Sequence, residues 1–287
     1  MKVFTSIPDY PFENKSIVTI GTFDGVHLGH RVILKRMKEI AKKTKGKSVL
    51  LTFSPHPRHV LHKDNQDMKL ITTLQEKQDL INQAGLDNLV IHEFTKKFSR
   101  IKPVNFVRDI LVEQLNVHTL VIGYDHHFGR NREGSIQELT TLADLYDFNI
   151  EKIDPQYFED VTVSSSKIRK LIEKGEMVKA KQYLGYEFML NGKVIKGNSL
   201  GKTINFPTAN IVVENKWKIL PADGVYAVKI VLEAKEYKGM MNIGQKPTVD
   251  GNGISLEVNI FDFNQDIYGK GIEIRFVKRI RDERKFE

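Results

Sequence analysis

The segment Gly21-Thr22-Phe23-Asp24-Gly25-Val26-His27-Leu28-Gly29-His30 joins an apolar run to a helical pattern. The preceding run, Ile17-Val18-Thr19-Ile20, is rich in β-branched residues and is typical of a buried parallel strand. In residues 31–43 the apolar side chains recur at helical spacing on one face. A strand, a glycine-rich turn with two histidines and a helix therefore follow one another directly.

This turn has the features of a phosphate-binding site. A helix N-terminus offers unpaired backbone N–H groups and the positive end of the helix dipole. Glycines let the backbone approach a bound phosphate closely. His27 and His30 lie where the helix begins, so both imidazoles can donate hydrogen bonds to phosphate oxygens and stabilise charge in a transition state. The alternative is a glycine turn with two solvent-facing histidines, and the strand-turn-helix context favours phosphate binding over it.

Composition narrows the class of protein. A chain of 287 residues that is 40% hydrophobic suits two domains, each with its own core. No run of 18 apolar residues occurs, and Met1 to Pro11 has no signal-peptide pattern, so no membrane association is expected. The absence of cysteine excludes disulfides and thiolate zinc sites and suits a cytoplasmic location. The net charge is +8, but the basic residues are interleaved with acids, so nucleic-acid binding is not predicted.

The first half of the chain alternates strand-like and helix-like segments. Apolar strand-like runs occupy residues 17–20, 49–53, 89–91 and 120–122. Helical patterns occupy residues 31–43, 75–84 and 104–115. Repeated units of this kind predict an α/β fold with a doubly wound parallel sheet, whose ligands bind at the carboxyl ends of the strands.

The pattern changes near Leu184-Gly185, where a helical stretch over residues 167–184 ends. Short alternating runs follow, at residues 192–195, 225–230, 256–260 and 272–276. They predict a small antiparallel β-barrel or sandwich of about 100 residues. We therefore expect one domain over residues 1–184 and a second over residues 185–287.

The His-x-Gly-His signature after the first strand resembles the nucleotidyltransferase superfamily. The longer string over residues 21–30 resembles one branch of it, the bacterial bifunctional riboflavin kinase/FAD synthetases. This resemblance implies an N-terminal doubly wound nucleotidyltransferase domain and a C-terminal riboflavin kinase barrel. The expected substrates are riboflavin, FMN and ATP, with Mg²⁺ as the metal. The sequence does not indicate an oligomeric state.

The segment Val163-Ser164-Ser165-Ser166-Lys167-Ile168-Arg169 resembles the family pattern Ser-Ser-Thr-x-Ile-Arg. Serines before a helix are N-caps by default, but a serine-rich helix start followed by an arginine can also hold a triphosphate. The resemblance implies catalytic roles for His27, His30 and Arg169. It implies ATP binding by six further residues: Gly21, Phe23, Asp24, Gly29, Ser164 and Ser165. The FMN phosphate would attack the α-phosphorus of ATP and release pyrophosphate, with no covalent enzyme intermediate.

Two further loops in the first half resemble flavin-binding segments. Ser54-Pro55-His56-Pro57 follows the second strand, and the resemblance places the flavin near Pro55 and His56; a rigid proline turn is the alternative. In residues 123–134 the resemblance implies that Asp125 and Phe128 help to hold the flavin, while a polar surface loop is the alternative. His126 replaces an aromatic residue of the family there, so we expect altered contacts rather than lost activity.

The series His56, His59 and His62 invites a metal interpretation. Three histidines at that spacing would need a helix, and Pro57 disfavours a regular one there. A zinc site is therefore not predicted.

In the second half, Gly197-Asn198-Ser199-Leu200-Gly201-Lys202-Thr203 is one residue short of a P-loop, and Pro207 follows where a helix should run. The stretch instead resembles the riboflavin kinase loop that continues into Asn205-Phe206-Pro207-Thr208-Ala209-Asn210. The resemblance implies ATP binding by Gly197, Gly201 and Thr203. It also implies Mg²⁺ binding by Thr208 and Asn210, whose oxygens suit a hard cation.

Glu257 lies in an alternating run, where a solvent-facing acid is the ordinary expectation. The surrounding stretch, residues 256–263, resembles the family segment in which this glutamate is the general base. It would accept the proton of the riboflavin 5′-hydroxyl as that oxygen attacks the γ-phosphorus. Asn259 stands where the family usually has histidine, and Arg281 is expected near the flavin.

The family normally continues past residues 281–286 into a C-terminal helix that helps to cover the flavin, and this sequence stops at Glu287. The expectation is a shortened chain or an incomplete flavin side of the kinase site. Two other functions are alternatives. A nucleotidyltransferase for a phosphopantetheine- or glycerol-type acceptor would not need the kinase string. A flavin-sensing or RNA-binding module would not need His27, His30, Arg169 and Glu257 together.

Overall fold

The computed structural model describes residues 1–13, 15–61, 67–123, 135–155, 157–158, 161–196, 208–248 and 251–283. Contacts divide the chain into two compact units. The first unit comprises Met1–Met68 and Thr72–Val163, and the second comprises Lys69–Ile71 and Ser164–Glu287. The functional boundary expected between residues 184 and 185 stays a prediction, because compactness alone does not test it.

The first unit contains a six-stranded parallel sheet. Its strands are β1 (Lys2–Phe4), β2 (Ser16–Ile20), β3 (Lys47–Ser54), β4 (Asn88–Glu93), β5 (Val117–Gly123) and β6 (Asn149–Ile153). The order across the sheet is β1-β4-β3-β2-β5-β6. The predicted parallel sheet is confirmed. The chain passes from β2 outward through β3 and β4, then returns to β5 on the other side of β2, so the strand order reverses between β2 and β5.

In the described part of the first unit, a short 3₁₀ helix (Phe98–Arg100) and five longer helical segments accompany this sheet. The longer segments are α1 (Leu28–Thr44), α2 (Pro57–Leu61), α3 (Leu74–Ala84), α4 (Pro103–Asn105), which continues as a π-helical stretch (Phe106–Val112), and α5 (Ile136–Tyr146). A hairpin of β7 (Tyr157–Phe158) and β8 (Val161–Thr162) follows. The helix predicted over residues 104–115 is therefore largely π-helical, and its apolar residues Phe106, Val107, Ile110 and Leu111 are buried as its spacing predicted.

The second unit contains two helices and a closed antiparallel barrel. The helices are α6 (Ser165–Glu173) and α7 (Met177–Leu184). The strands are β9 (Met189–Ile195), β10 (Ala209–Val212), β11 (Gly224–Leu232), β12 (Lys235–Thr248), β13 (Gly251–Ile260) and β14 (Gly271–Arg281), in the order β10-β13-β12-β11-β14-β9. The barrel, rather than a sandwich, is confirmed. The helical stretch expected over residues 167–184 consists of two helices, and Gly175 adopts φ 72° between them.

Three residues from the first half of the sequence belong to the second unit. Leu70 forms a parallel bridge with Lys218, and its backbone N–H donates to the carbonyl of Trp217 at 2.6 Å. The buried ammonium of Lys218 donates to the carbonyl of Ile71 at 2.7 Å and lies 4.6 Å from the ring centre of Phe188. The second unit is therefore discontinuous in sequence. No helix in the described ranges is long and apolar enough to cross a membrane.

Candidate active sites

The turn over residues 21–30 leaves the carboxyl end of β2, beside the point where the strand order reverses. Ligands of doubly wound sheets bind at such a point. His27 is the N-cap of α1, and its Nδ1 accepts a hydrogen bond from the backbone N–H of His30 at 3.4 Å. Both histidines therefore lie at the positive end of a 17-residue helix, as the sequence predicted.

The backbone of this turn is strained. Phe23 and Val26 are buried and adopt φ 47° and φ 36°, in the left-handed region that favours glycine. Strain of this kind costs about 1–3 kcal/mol at each residue and persists only where the surroundings hold it. The turn is held partly by Asp24, which is 2% exposed. Its Oδ1 accepts from the backbone N–H of Thr72 at 3.1 Å and from the Thr72 hydroxyl at 3.3 Å.

Thr72 also reaches the turn directly, because its Oγ1 accepts from the backbone N–H of Gly25 at 3.1 Å. Gly21 and Gly29, the two glycines expected to bind ATP, lie against aromatic rings of the same turn. A Cβ on Gly21 would lie 3.0 Å from the Phe23 ring, and a Cβ on Gly29 would lie 3.3 Å from the His27 ring. Asp24, Gly21 and Gly29 therefore shape the turn, whatever contacts they make with a ligand.

Three rings form a stack in the turn. The ring of His30 lies 3.7 Å from that of His27, with 15° between their planes, and 4.4 Å from that of Phe23, with 28° between their planes. The Nδ1 of His30 is buried and has no hydrogen-bond partner in the described part of the chain. Burial lowers the pKa of His30 well below its ordinary value, and the charges of His27 and Lys77 lower it further.

His30 is therefore neutral at physiological pH. A neutral imidazole can donate one hydrogen bond and accept another. Since Nδ1 of His27 accepts from a backbone N–H, the neutral form of His27 carries its proton on Nε2. The pair is suited to donating hydrogen bonds to phosphate oxygens without adding two adjacent positive charges.

Lys77 belongs to this site, and the sequence analysis missed it. It lies on α3, and its Nζ donates to the carbonyl of Thr22 at 2.7 Å and lies 3.5 Å from the Thr52 hydroxyl. The residue is only 6% exposed. Burial lowers the pKa of Lys77 to about 8, and the nearby charge of Asp24 opposes that change. One signal was present in the sequence: Lys77 precedes the buried Leu80 and Ile81 by three and four residues, which places it on the same helix face.

The loop after β3 contains two of the predicted flavin residues, Pro55 and His56. The Nδ1 of His56 accepts from the backbone N–H of Arg58 at 3.2 Å. The expectation that Pro57 disfavours a helix is wrong: α2 begins at Pro57, where a proline is tolerated because the first N–H of a helix has no partner within it. His59 lies in this helix and hydrogen-bonds the carbonyl of Met68 at 2.8 Å.

The described residues contain no group of three or more His, Cys, Asp or Glu side chains placed to hold a metal ion. Several predicted residues lie outside the described ranges: His62, Asp125, His126, Phe128, Gly197, Gly201 and Thr203.

The serine-rich segment belongs to the second unit. Ser164 is the N-cap of α6, and its hydroxyl accepts from the backbone N–H of Lys167 at 3.5 Å. Ser165 is the first residue of this helix, and Arg169 follows one turn later. The N-cap interpretation is confirmed, and a role in holding a triphosphate stays a prediction.

The barrel brings together three of the residues predicted for the kinase site. Asn210 on β10 pairs directly with Glu257 on β13. The hydroxyl of Thr208, just before β10, donates to Oε2 of Glu257 at 3.4 Å. Ser255, which the sequence analysis did not single out, donates to Oε1 of the same carboxylate at 2.9 Å. Its signal is the spacing of two, which places Ser255 and Glu257 on one face of the strand.

Two hydroxyls and a carboxylate thus meet beside Asn210, and a donor set of hydroxyl, amide and carboxylate oxygens fits Mg²⁺. Arg281 lies elsewhere along the barrel wall, as the last residue of β14, where it pairs with Val225. It is exposed, and its guanidinium donates to the carbonyl of Asp282 at 3.0 Å.

Comparison with known proteins gives a consistent result for the two halves. A family model described as FAD synthetase matches residues 10–167, and one described as riboflavin kinase matches residues 184–287. The bifunctional riboflavin kinase/FMN adenylyltransferase of Bacillus subtilis (strain 168) is 39% identical over 280 residues, covering 95% of this chain and 86% of the relative. The protein of the same description from Buchnera aphidicola subsp. Acyrthosiphon pisum (strain APS) is 38% identical over 290 residues, covering 100% and 92%.

A solved structure is similar over the whole chain. It is described as a macrolide-efflux protein from Streptococcus pneumoniae. It superposes with a TM-score of 0.92 at 31% identity and covers 100% of this chain and 92% of its own.

Proposed function

Because the chain belongs to the family of bifunctional riboflavin kinase/FMN adenylyltransferases, we propose that it makes FAD from riboflavin in two steps. It phosphorylates riboflavin to FMN with one ATP and transfers the adenylyl group of a second ATP to FMN. The observation that carries this proposal is that each half of the chain assembles its own polar cluster from the family motifs. One is the His27–His30 pair at the start of α1, and the other is the Thr208–Asn210–Glu257 group of the barrel.

In the adenylyl transfer, a phosphate oxygen of FMN forms a bond to the α-phosphorus of ATP, and the bond to the departing pyrophosphate breaks. The residues of the turn bind and orient the triphosphate, and no covalent enzyme intermediate is needed. The backbone N–H groups at the start of α1 and the helix dipole bind its negative charge. His27 and His30 donate hydrogen bonds as charge develops on the phosphate oxygens. Phe23 is proposed to contact ATP. On α6, Ser164, Ser165 and Arg169 are proposed to bind a triphosphate.

In the kinase step, Glu257 accepts the proton of the riboflavin 5′-hydroxyl, whose oxygen attacks the γ-phosphorus while ADP leaves. The hydrogen bonds from Thr208 and Ser255 orient this carboxylate. Thr208 and Asn210 would hold Mg²⁺, which neutralises phosphate charge when bound. Arg281 is proposed to contact the flavin of the kinase site. Pro55 and His56 are proposed to contact the flavin of the adenylyl-transfer site.

The other predicted site residues keep their proposed roles. They are Asp125 and Phe128 for the flavin, and Gly197, Gly201 and Thr203 for ATP. We also propose a cytoplasmic location, which the cysteine-free composition supports, and we propose no nucleic-acid or membrane partner.

The direct test is incubation with ATP and Mg²⁺ plus either riboflavin or FMN, with the three flavins separated by chromatography. We expect FAD from both substrates. FAD from FMN alone would limit the activity to adenylyl transfer. No conversion of either flavin would refute the enzyme and favour a flavin-binding module.

A further inference from the structure

Lys77 places a buried positive charge next to the turn over residues 21–30. Its ammonium is 2.7 Å from the carbonyl oxygen of Thr22, the residue immediately before the strained Phe23. The same carbonyl accepts from the Thr52 hydroxyl at 3.3 Å. Two donors from β3 and α3 therefore hold one carbonyl at the start of the turn.

The charged groups around Lys77 come from each element packed against it. Asp24, on the turn, stabilises the ammonium through its negative charge. His30, at the start of α1, is affected by the positive charge of Lys77, which disfavours its protonation. On α3 itself the neighbouring Glu76 is turned to the helix end, where its Oε2 accepts from the backbone N–H of Thr73 at 2.8 Å.

A buried ammonium is costly to desolvate, and a methionine of similar length would fill the same space without that cost. Buried groups with perturbed ionisation are typical of functional sites. Here the ammonium contacts the turn at the Thr22 carbonyl. Thr22 immediately precedes Phe23, the first of the three stacked rings.

We propose that Lys77 is a positioning residue for adenylyl transfer, which fixes the strained turn through its hydrogen bond to the Thr22 carbonyl and sets its positive charge near His30. Lys77 acts through the turn and through His30. Its loss should displace the histidine pair relative to the reacting phosphate, and a displacement of about 1 Å can cost on the order of 100-fold in rate. The inference rests on the proposed adenylyl transfer, so its test must separate the two.

The test compares four variants of the full chain: Lys77→Met, Lys77→Arg, Thr52→Val and Lys38→Met. Lys38 is the matched control, because it is an exposed lysine that also donates to a main-chain carbonyl, that of Ala84, at 2.9 Å. FAD formation from FMN is measured beside FMN formation from riboflavin in the same preparation. Failure of the unaltered chain to convert FMN would refute the proposed function itself.

We expect Lys77→Met to lower kcat for FAD formation by about 30- to 100-fold, with KM for ATP changed less than about threefold. FMN formation should stay within about twofold. Lys77→Arg keeps the positive charge and an N–H donor and should retain clearly more activity than Lys77→Met. Thr52→Val leaves the charge in place and should cost less than about fivefold. A rate for Lys77→Met within threefold of that of Lys38→Met, or equal losses in Lys77→Met and Lys77→Arg, would overturn the proposal.

Two further readouts separate positioning from a merely structural role. The NMR titration midpoint of the His30 ring should rise in Lys77→Met, because a neighbouring positive charge has been removed; an unchanged midpoint contradicts the proposal. In the unaltered chain, FAD formation should fall above about pH 8 as the ammonium loses its proton, and Lys77→Arg should extend activity to higher pH. A flat profile to pH about 9.5 would overturn the inference without requiring any variant to fold.

Discussion

Replacing Lys77 by methionine should stabilise the first unit at neutral pH, although we expect it to impair adenylyl transfer. Burial lowers the pKa of Lys77 from 10.5 to about 8. The difference corresponds to about 3 kcal/mol by which the native state disfavours the charged form relative to the unfolded chain. The variant loses the hydrogen bond to the Thr22 carbonyl, but Thr52 still donates to that oxygen. A net gain of about 1–3 kcal/mol in the free energy of unfolding is therefore expected at pH 7.

The advantage of the methionine variant should depend on pH in one direction. Below pH 8 the lysine is charged in both the native and the unfolded state, so burial of the charge destabilises the native state by the full amount. As the pH rises from about 8 toward 10.5, Lys77 loses its proton in the native state before it does so in the unfolded state. The destabilisation by the buried charge therefore disappears. Between pH 7 and pH 9.5 the unaltered chain should gain about 2 kcal/mol relative to Lys77→Met.

The assay is urea unfolding at both pH values, followed by circular dichroism. Trp217 is the single tryptophan and lies in the second unit, so its fluorescence reports that unit separately. The transition of the first unit should shift, while the Trp217 transition should not. A difference between the two chains that stays within about 0.5 kcal/mol from pH 7 to pH 9.5 would refute the assignment of a buried, charged Lys77.

Four other predictions follow from the geometry. His30→Ala should lower FAD formation from FMN by about 100-fold or more while riboflavin is still phosphorylated, because one preorganised donor to the phosphate is lost; flavin chromatography measures both, and a loss below tenfold contradicts it. Glu257→Gln should reduce riboflavin phosphorylation by at least about 100-fold and spare FMN adenylylation; equal loss of both in the same assay would count against a base confined to the kinase site. Thr208→Val should raise the Mg²⁺ concentration for half-maximal kinase rate about tenfold, measured by metal titration, and an unchanged requirement would remove Thr208 from the metal site. Gly175→Ala should destabilise the second unit by about 1–3 kcal/mol, since its φ is 72° and its Cβ would lie 2.7 Å from Arg279; Trp217 fluorescence during urea unfolding checks this, and an unshifted midpoint would contradict it.

Much of the fold follows from local patterns in the sequence. The turn over residues 21–30 is flanked by a five-residue strand and a 17-residue helix, as the β-branched run and the helical spacing predicted. The barrel strands over residues 226–230 and 272–276 alternate buried and partly buried residues, as expected where one face of a sheet packs on the core. The family motifs also singled out Thr208 and Asn210, which lie beside the sequence-distant Glu257 in the barrel.

What the sequence did not reveal depends on contacts between distant residues. Lys77 was overlooked because a lysine in a helix is ordinarily exposed, and only the packing of α3 against β3 and the turn buries it. The supporting role of Thr72 for Asp24 joins residues 48 positions apart. The break at Gly175 was missed because helical spacing continues on both sides, whereas the left-handed backbone there is visible only in three dimensions.

The pairing of residues 69–71 with the barrel unit affects how this protein can be divided into parts. A kinase fragment that begins at Ser164 would lack the carbonyl of Ile71, to which the buried ammonium of Lys218 donates. Losing one partner of a buried, charged hydrogen bond typically costs about 1.5–3 kcal/mol. A single cut in the gene therefore leaves the kinase half without part of its own packing. A self-sufficient fragment would have to carry a second copy of these three residues, supplied as a peptide or fused through a linker.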